Sequence, residues 1–223
     1  GRSLSLESTL YSHAGVAEAP VTFGLKAGSQ YDLLVHDMSG FERDSYGLIC
    51  STAPSGVAGD LDGRMVFYKP DVTSGGYQYA FALPLGNGLT CTQYVPYNTY
   101  QPSLDSKDRG NLVANWIQLT NLSGSKQRGV LVFYAVGGEE LARQGVTLQA
   151  GARYDYSGHD LVGRSQVGLV EWIPSARSAR FQLRNVRYYY RADGEEVPLG
   201  DEFDSAFQLE GVVGNGQLLT VPL

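Results

Sequence analysis

The chain contains itself twice, and this restricts its fold more than any motif does. AlaGlySerGlnTyrAspLeuLeuValHisAsp at 27–37 returns as AlaGlyAlaArgTyrAspTyrSerGlyHisAsp at 150–160. Gly28, Tyr31, Asp32, His36 and Asp37 recur as Gly151, Tyr154, Asp155, His159 and Asp160, all at one offset. The match extends in both directions. Tyr11 and Gly15 correspond to Tyr134 and Gly138, Gly47-Leu48-Ile49 to Gly168-Leu169-Val170, Ala80-Phe81 to Ala206-Phe207, and Val95-Pro96 to Val221-Pro222. Self-similarity along a whole chain marks a tandem array. An active site usually breaks such symmetry, because chemistry needs unlike groups converging on one point. The repeat therefore points to a modular binding or structural protein ahead of an enzyme.

Two repeats of this size fit two domains, each long enough to bury a core. The net charge of −6 argues against nucleic acid and anionic membrane surfaces, which call for a basic stripe. No apolar run approaches the length of a membrane helix. The chain opens GlyArgSerLeuSerLeuGluSer, which is not a signal peptide; a secreted protein would have lost its signal already, or the chain is a piece of something longer. Sparse charge with 28 Gly and 15 Tyr fits β structure with many turns.

Apolar residues alternate, or come in short runs between turn signals. In the second repeat this predicts strands at Trp116–Thr120, Gly129–Val136, Val146–Leu148, Tyr154–Ser157, Val167–Ile173, Phe181–Arg191, Ala206–Leu209 and Gln217–Val221. The one short helical stretch, Gly138–Arg143, is too short to matter. Pro96–Arg109, polar and with two prolines, reads as a linker. The expected organisation is two antiparallel β-sandwich modules, 1–108 and 109–223, spaced as sandwich strands are.

AsnTrpIleGlnLeuThrAsnLeuSer at 115–123, the GlnAlaGlyAlaArgTyrAsp turn, GlyHisAsp, and ValGlyLeuValGluTrpIlePro at 167–174 follow one another in a set order. This order resembles a module carried in tandem by large bacterial secreted or cell-surface proteins, a family without assigned chemistry. The resemblance covers nearly the whole chain. It implies an immunoglobulin-like sandwich and an extracellular setting, and carries no catalytic residue across. The resulting expectation is a non-catalytic structural or adhesive module, with itself or neighbouring repeats as partner and assembly into a fibre or surface array. The alternative is a carbohydrate-binding pair; a hydrolase at the module junction stands third. No cofactor, metal, nucleic acid or membrane insertion is expected.

Several residues invite functional readings. His36-Asp37 and His159-Asp160 fit a metal site or a catalytic pair, but a turn capped by Asp and bonded by His explains a duplicated pair more simply. They are expected to be structural twins, each with a backbone or same-turn partner. Asp60, Asp62 and Gly63 resemble a fragment of a calcium loop, yet lack its third oxygen ligand and terminal Glu; a plain turn is preferred. The acidic loop at 201–204 is equally unspecific. Tyr94, Tyr97 and Tyr100 step through an extended segment and fit either an aromatic platform for sugars or packing of the linker onto both modules, the second being preferred. Glu139-Glu140 and Glu195-Glu196 lie in turn-like stretches. Asn121-Leu122-Ser123 is an N-glycosylation sequon with no expected meaning in a bacterial protein.

Cys50 and Cys91 both fall in strand-like segments of the first repeat, and both are missing from the second. Joint absence is what a bonded pair would show, so a disulfide is expected. Finally, the strand Trp116–Thr120 has no counterpart ahead of residue 1. One sandwich should lack an edge partner. A following repeat, the alternating SerLeuSerLeuGluSerThrLeu at the N-terminus, or a strand from a neighbouring molecule would each repair it.

Overall fold

In a computed structural model the chain is all-β. The structure describes residues 2–42, 46–57, 60–71, 73–100, 113–190 and 203–213. Strands β1 (Leu4–Ser12), β2 (Val21–Leu25) and β3 (Gly47–Thr52) form one antiparallel sheet in the order β2-β1-β3. β4 (Arg64–Pro70) and β5 (Tyr77–Pro84) form a separate hairpin. The remaining strands are β6 (Gln93–Asn98), β7 (Val113–Asn121), β8 (Gln127–Ala135), β9 (Glu140–Leu148), β10 (Arg153–Ser157), β11 (Val167–Pro174), β12 (Phe181–Tyr190), β13 (Phe203–Glu210) and β14 (Val212–Val213). They build a four-stranded sheet, β10-β7-β12-β13, and a five-stranded sheet, β14-β6-β11-β8-β9.

These two larger sheets close on one core in a sandwich-like arrangement. Ile117, Leu119, Phe181 and Leu183 come from one sheet, and Val95, Tyr97, Leu131, Phe133, Val170 and Trp172 from the other; all are fully buried. Trp172 and Phe181 meet across the gap with ring centroids 4.5 Å apart. The inward residues are every second one along β6 and β11, as the period of a strand requires.

The repeat is visible in three dimensions. β2-β1-β3 corresponds to β9-β8-β11, and β4-β5 to β12-β13. Twin glycines mark twin turns: Gly15 and Gly138 (φ 87° and 92°) and Gly28 and Gly151 (φ 70° and 69°) sit in left-handed backbone, where an L side chain is strained. Gly47 and Gly168 are a different kind of pair. A Cβ on either would overlap a carbonyl oxygen of the neighbouring strand, Tyr11 for Gly47 and Tyr134 for Gly168, and those two tyrosines are themselves twins.

What the first repeat lacks is as regular as what it shares. Among the described residues it has no counterpart of β6 beside β3, and none of β7 beside β4. Residues 30–34, which match β10, are not a strand. The reason is direct: β10 pairs only with β7, so without a β7 that segment has no ladder to join.

One expectation about organisation is corrected. The presumed linker begins inside β6, and β6 pairs with β11 from Val167↔Asn98 to Trp172↔Gln93. A boundary near residue 108 thus cuts a strand away from the sheet it belongs to. Residues 140–143, within the stretch Gly138–Arg143, are the start of β9, whose backbone pairs with β8. The stretches 101–112, 191–202 and 214–223, including Glu195-Glu196, part of the acidic loop 201–204 and the final strand expected at Gln217–Val221, lie outside the described residues.

Candidate assembly interface

β6 shows how one repeat completes another. It enters the second unit directly after Leu89, whose N–H donates to the Phe181 carbonyl at 2.7 Å while the Phe181 N–H returns the bond at 2.9 Å. Along β6, Gln93, Val95 and Tyr97 point inward and are buried. Gln93 is polar but satisfied at both ends of its amide. Its Nε2 donates to the Phe181 carbonyl at 2.9 Å, and its Oε1 accepts from the Leu183 N–H at 3.2 Å. The amide therefore ties β6 to the opposite sheet. Further along, Asn185 Nδ2 donates to the Pro96 carbonyl at 2.8 Å, and Asn115 Nδ2 donates to Asn185 Oδ1 at the same distance. The Asn98 N–H donates to Asn115 Oδ1 at 3.1 Å. Buried polar groups held this completely specify one register.

The outward face of β6 carries Tyr94. Its hydroxyl donates to Glu171 Oε1 at 2.9 Å, and the Tyr134 hydroxyl donates to Glu171 Oε2 at 2.8 Å. Burial, with the Glu171 hydrogen bond and charge, pushes the Tyr94 phenol up to about 12. The Glu171 hydrogen bond likewise raises Tyr134.

The same positions in the first repeat look unfinished. β3 occupies the place of β11, but among the described residues it pairs only with β1. Ile49 is half-exposed where Val170 is fully buried. In the hairpin, Phe67 stacks on Phe81 at 4.9 Å yet remains 37% exposed, and Tyr68 and Tyr77 are 59% and 66% exposed. Among the described residues of this unit, only Leu4, Leu6, Met38 and Leu83 are buried apolar residues. An open strand edge beside an uncovered apolar face is a template for added strands.

The two units meet towards both edges of the four-stranded sheet: Arg184 Nη2 of β12 donates to the Pro84 carbonyl of β5 at 2.6 Å, and β10 makes the other junction. The Arg153 N–H donates to the His13 carbonyl at 3.0 Å, and Arg153 Nη1 to the Gly47 carbonyl at 3.3 Å. The guanidinium lies 5.4 Å over the Tyr46 ring and is held by Asp155 through a bidentate pair of 2.6 and 2.8 Å. Gln30 and Asp32 repeat this pair in the first unit, with Gln30 Nε2 donating to Asp32 Oδ1 at 2.8 Å.

The residues singled out from sequence fare unevenly. Cys50 and Cys91 are free thiols, and the expected disulfide is absent. Cys50 stands on β3 of the first unit, whereas Cys91 leads into β6 and so into the second; sequence repeat and folding unit do not coincide there. Tyr94, Tyr97 and Tyr100 form no shared platform. Tyr97 is a core residue, Tyr94 faces the other way, and Tyr100 lies past the end of β6 with 43% exposure. His36 sits in a 3-10 turn at Val35–Asp37, exposed, 3.9 Å from its neighbour Asp37. His159 sits at the matching place in a short helix, α1 (Gly158–Val162), where Ser157 Oγ accepts from the Asp160 N–H. Its ring nitrogens are enclosed without a well-formed hydrogen bond, and burial lowers its pKa against the pull of the Val113 backbone and Asp160. The two share a place in the repeat but not an environment. Asp60 Oδ2 accepts from the Val57 N–H and from Arg2 and closes a turn. Glu140 is paired with Arg143 at 2.7 Å. Asn121 is fully buried, its amide donating to the carbonyls of Ser125, Leu148 and Gln149, so the folded sequon is closed to glycosylation. Among the described residues no three His, Cys, Asp or Glu side chains converge as a metal site would require. None is long and apolar enough as a helix to cross a membrane.

Composition could not reveal the role of β6, but one sequence signal pointed to it: Val95-Pro96 and Val221-Pro222 close both repeats alike.

No family model and no curated protein matches the chain. The crystal structure of Thermotoga maritima 1070 is similar over 59% of this chain and 100% of that one, at 12% identity and a TM-score of 0.41, a likeness too loose to bear on fold or function.

Proposed function

We propose that this chain is a non-catalytic structural module of a secreted or surface-anchored bacterial protein, built of immunoglobulin-like units that assemble by sharing strands. One observation carries the reading: β6, from the end of the first repeat, is an integral strand of the second unit and is fixed there by Gln93 and the Asn115–Asn185 pair. A chain that already completes one repeat with a strand from another has the joint that an extended array needs. The open β3 edge and the exposed apolar hairpin fit an assembly partner better than a small ligand. The glycan-binding alternative loses its aromatic platform with Tyr97 in the core.

The test is the state of the full chain in solution. Sedimentation velocity and negative-stain microscopy over rising concentration should show end-to-end species that grow with concentration. A monomer at every concentration would overturn the reading.

A further inference from the structure

We propose that a second copy of this chain docks on the Gly138 turn of the second unit through the Gly28 turn of its own first unit, repeating between molecules the junction that joins the two units within one. This joint shares no strand and so goes beyond the strand-sharing reading above.

The internal junction has two halves. One is the turn of the first unit around Gly15, beside which His13 and Tyr46 pack with ring centroids 5.2 Å apart. The other is the turn of the second unit around Gly151, followed by Arg153. A Cβ on Gly15 would strike the Ala150 carbonyl, and one on Gly151 would strike the Tyr11 ring. The Arg153 N–H then donates to the His13 carbonyl, and the guanidinium lies over Tyr46. Duplication supplies each half a second time. Gly138 with Val136 and Val167 repeats the first, and Gly28 with Gln30 repeats the second. These copies are unused. A Cβ on Gly28 or on Gly138 would meet nothing within 4 Å, Val136 is 81% exposed, and Val167 and Tyr31 are exposed too. The two spare halves thus do not meet each other within the chain. Each unit carries one of them, so a second copy presents the half that the first is missing.

The side chains that differ between used and spare halves differ as matched pairs. Inside the molecule a cation faces an aromatic ring, Arg153 over Tyr46. At the spare halves both change together, to Gln30 and Val167. Alongside, the reverse holds. Gln149 and Val16, which adjoin Ala150 and Gly15, are uncharged, whereas their counterparts Lys26 and Glu139 carry opposite charges. Both are exposed, and neither belongs to an ion pair among the described residues. One internal contact is not carried over. The Gly168 carbonyl lies in the ladder between β11 and β6, so Gln30 has no match for the bond from Arg153 to Gly47. The Gln30 N–H on the Val136 carbonyl, the two valines, and Lys26 with Glu139 hold the joint instead. The contact is heterologous, and each added copy leaves one spare half of each kind, so it propagates. Its charged part is exposed and is screened by salt.

Charge reversal tests it, read by sedimentation equilibrium at low ionic strength. Lys26→Glu or Glu139→Lys alone puts like charges across the joint and should weaken self-association about three- to tenfold. An equimolar mixture of the two variants places opposite charges at every mixed joint and should recover the affinity of the unmodified chain, as should the double variant. Lys126→Glu, exposed in the turn between β7 and β8, changes net charge as much as Lys26→Glu and should have no effect. A mixture that binds no better than either variant alone overturns the proposal, as does a loss with Lys126→Glu equal to that with Lys26→Glu. If the unmodified chain self-associates and neither reversal at 26 or 139 alters it, this joint is wrong while strand sharing survives. If the chain is monomeric at every concentration, both fall.

Discussion

The Tyr94 hydroxyl and Glu171 Oε1 meet at 2.9 Å across the seam between a strand of the first repeat and a strand of the second. Because Tyr94 is raised to about 12, the folded chain holds this phenol proton more tightly than the unfolded chain, whose tyrosines titrate near 10. The resulting stabilisation is complete below about pH 10 and fades as pH rises through about 12. Glu171→Gln should bring the Tyr94 titration down towards the ordinary range without removing the part due to burial. Tyrosinate absorbance, followed alongside denaturant unfolding over the same pH range, reports both effects. An unchanged titration in Glu171→Gln would contradict the assignment.

Gly168→Ala places a methyl group on the Tyr134 carbonyl, and Gly47→Ala does the same at Tyr11. Each should destabilise its own unit by about 1–3 kcal/mol, the usual range for forced overpacking. Hydrogen exchange resolved by residue would show the loss confined to β8 and β11 in the first case, and to β1 and β3 in the second.

Phe181→Ala empties the centre of the closed unit, where the ring packs on Trp172, and should lose about 3–5 kcal/mol. Phe67→Ala, on the open hairpin, should lose about 1 kcal/mol or less in the isolated chain. Equal losses in thermal unfolding would mean that the hairpin is better covered than its exposure indicates.

Tyr97→Phe removes a buried hydroxyl that has no hydrogen-bond partner among the described residues. An unpaired buried polar group costs about 1–3 kcal/mol. The variant should therefore melt at the same temperature or higher, which calorimetry would decide; a clear fall would reveal a partner for the phenol.

A fragment spanning 88–213 keeps β6 with its sheet, and one spanning 109–223 discards it. The first should give dispersed amide resonances and cooperative unfolding. The second leaves β11 unpaired on one side and exposes the faces of Val170 and Trp172, and it should fail both tests.

Much of this architecture was legible in sequence. Alternation marked β7, β8, β11 and β12 to within a few residues, because each sends core residues inward at alternate positions, as Ile117 and Leu119, Leu131 and Phe133, Val170 and Trp172, and Phe181 and Leu183 do. The twin turns were readable because left-handed backbone recruits glycine in both copies. β6 was not legible as part of the second unit. Pro96 and the polar residues after it imitate a linker, and a strand's partner lies outside its own local sequence. Proline is tolerated there because β14 pairs only with Gln93 and Tyr94, so no ladder continues past Pro96 on that side. The cysteines misled for a related reason: their shared absence from the second repeat is real, but residues neighbouring in a repeat are not always neighbours in a sheet. The difference between His36 and His159 was equally hidden, since it depends on Val113 at the head of β7, a strand present in only one unit.

The place of β6 also sets an order of events during synthesis. Asn98 leaves the ribosome about 70 residues before its partner Val167. At 5–20 residues per second the interval is roughly 4–14 s. For that time β6 lacks its partner β11, while the β3 edge of its own repeat is unpaired among the described residues. A β6 paired with the wrong unit would leave the Gln93 amide without the Phe181 carbonyl and Leu183 N–H that satisfy it in the folded chain.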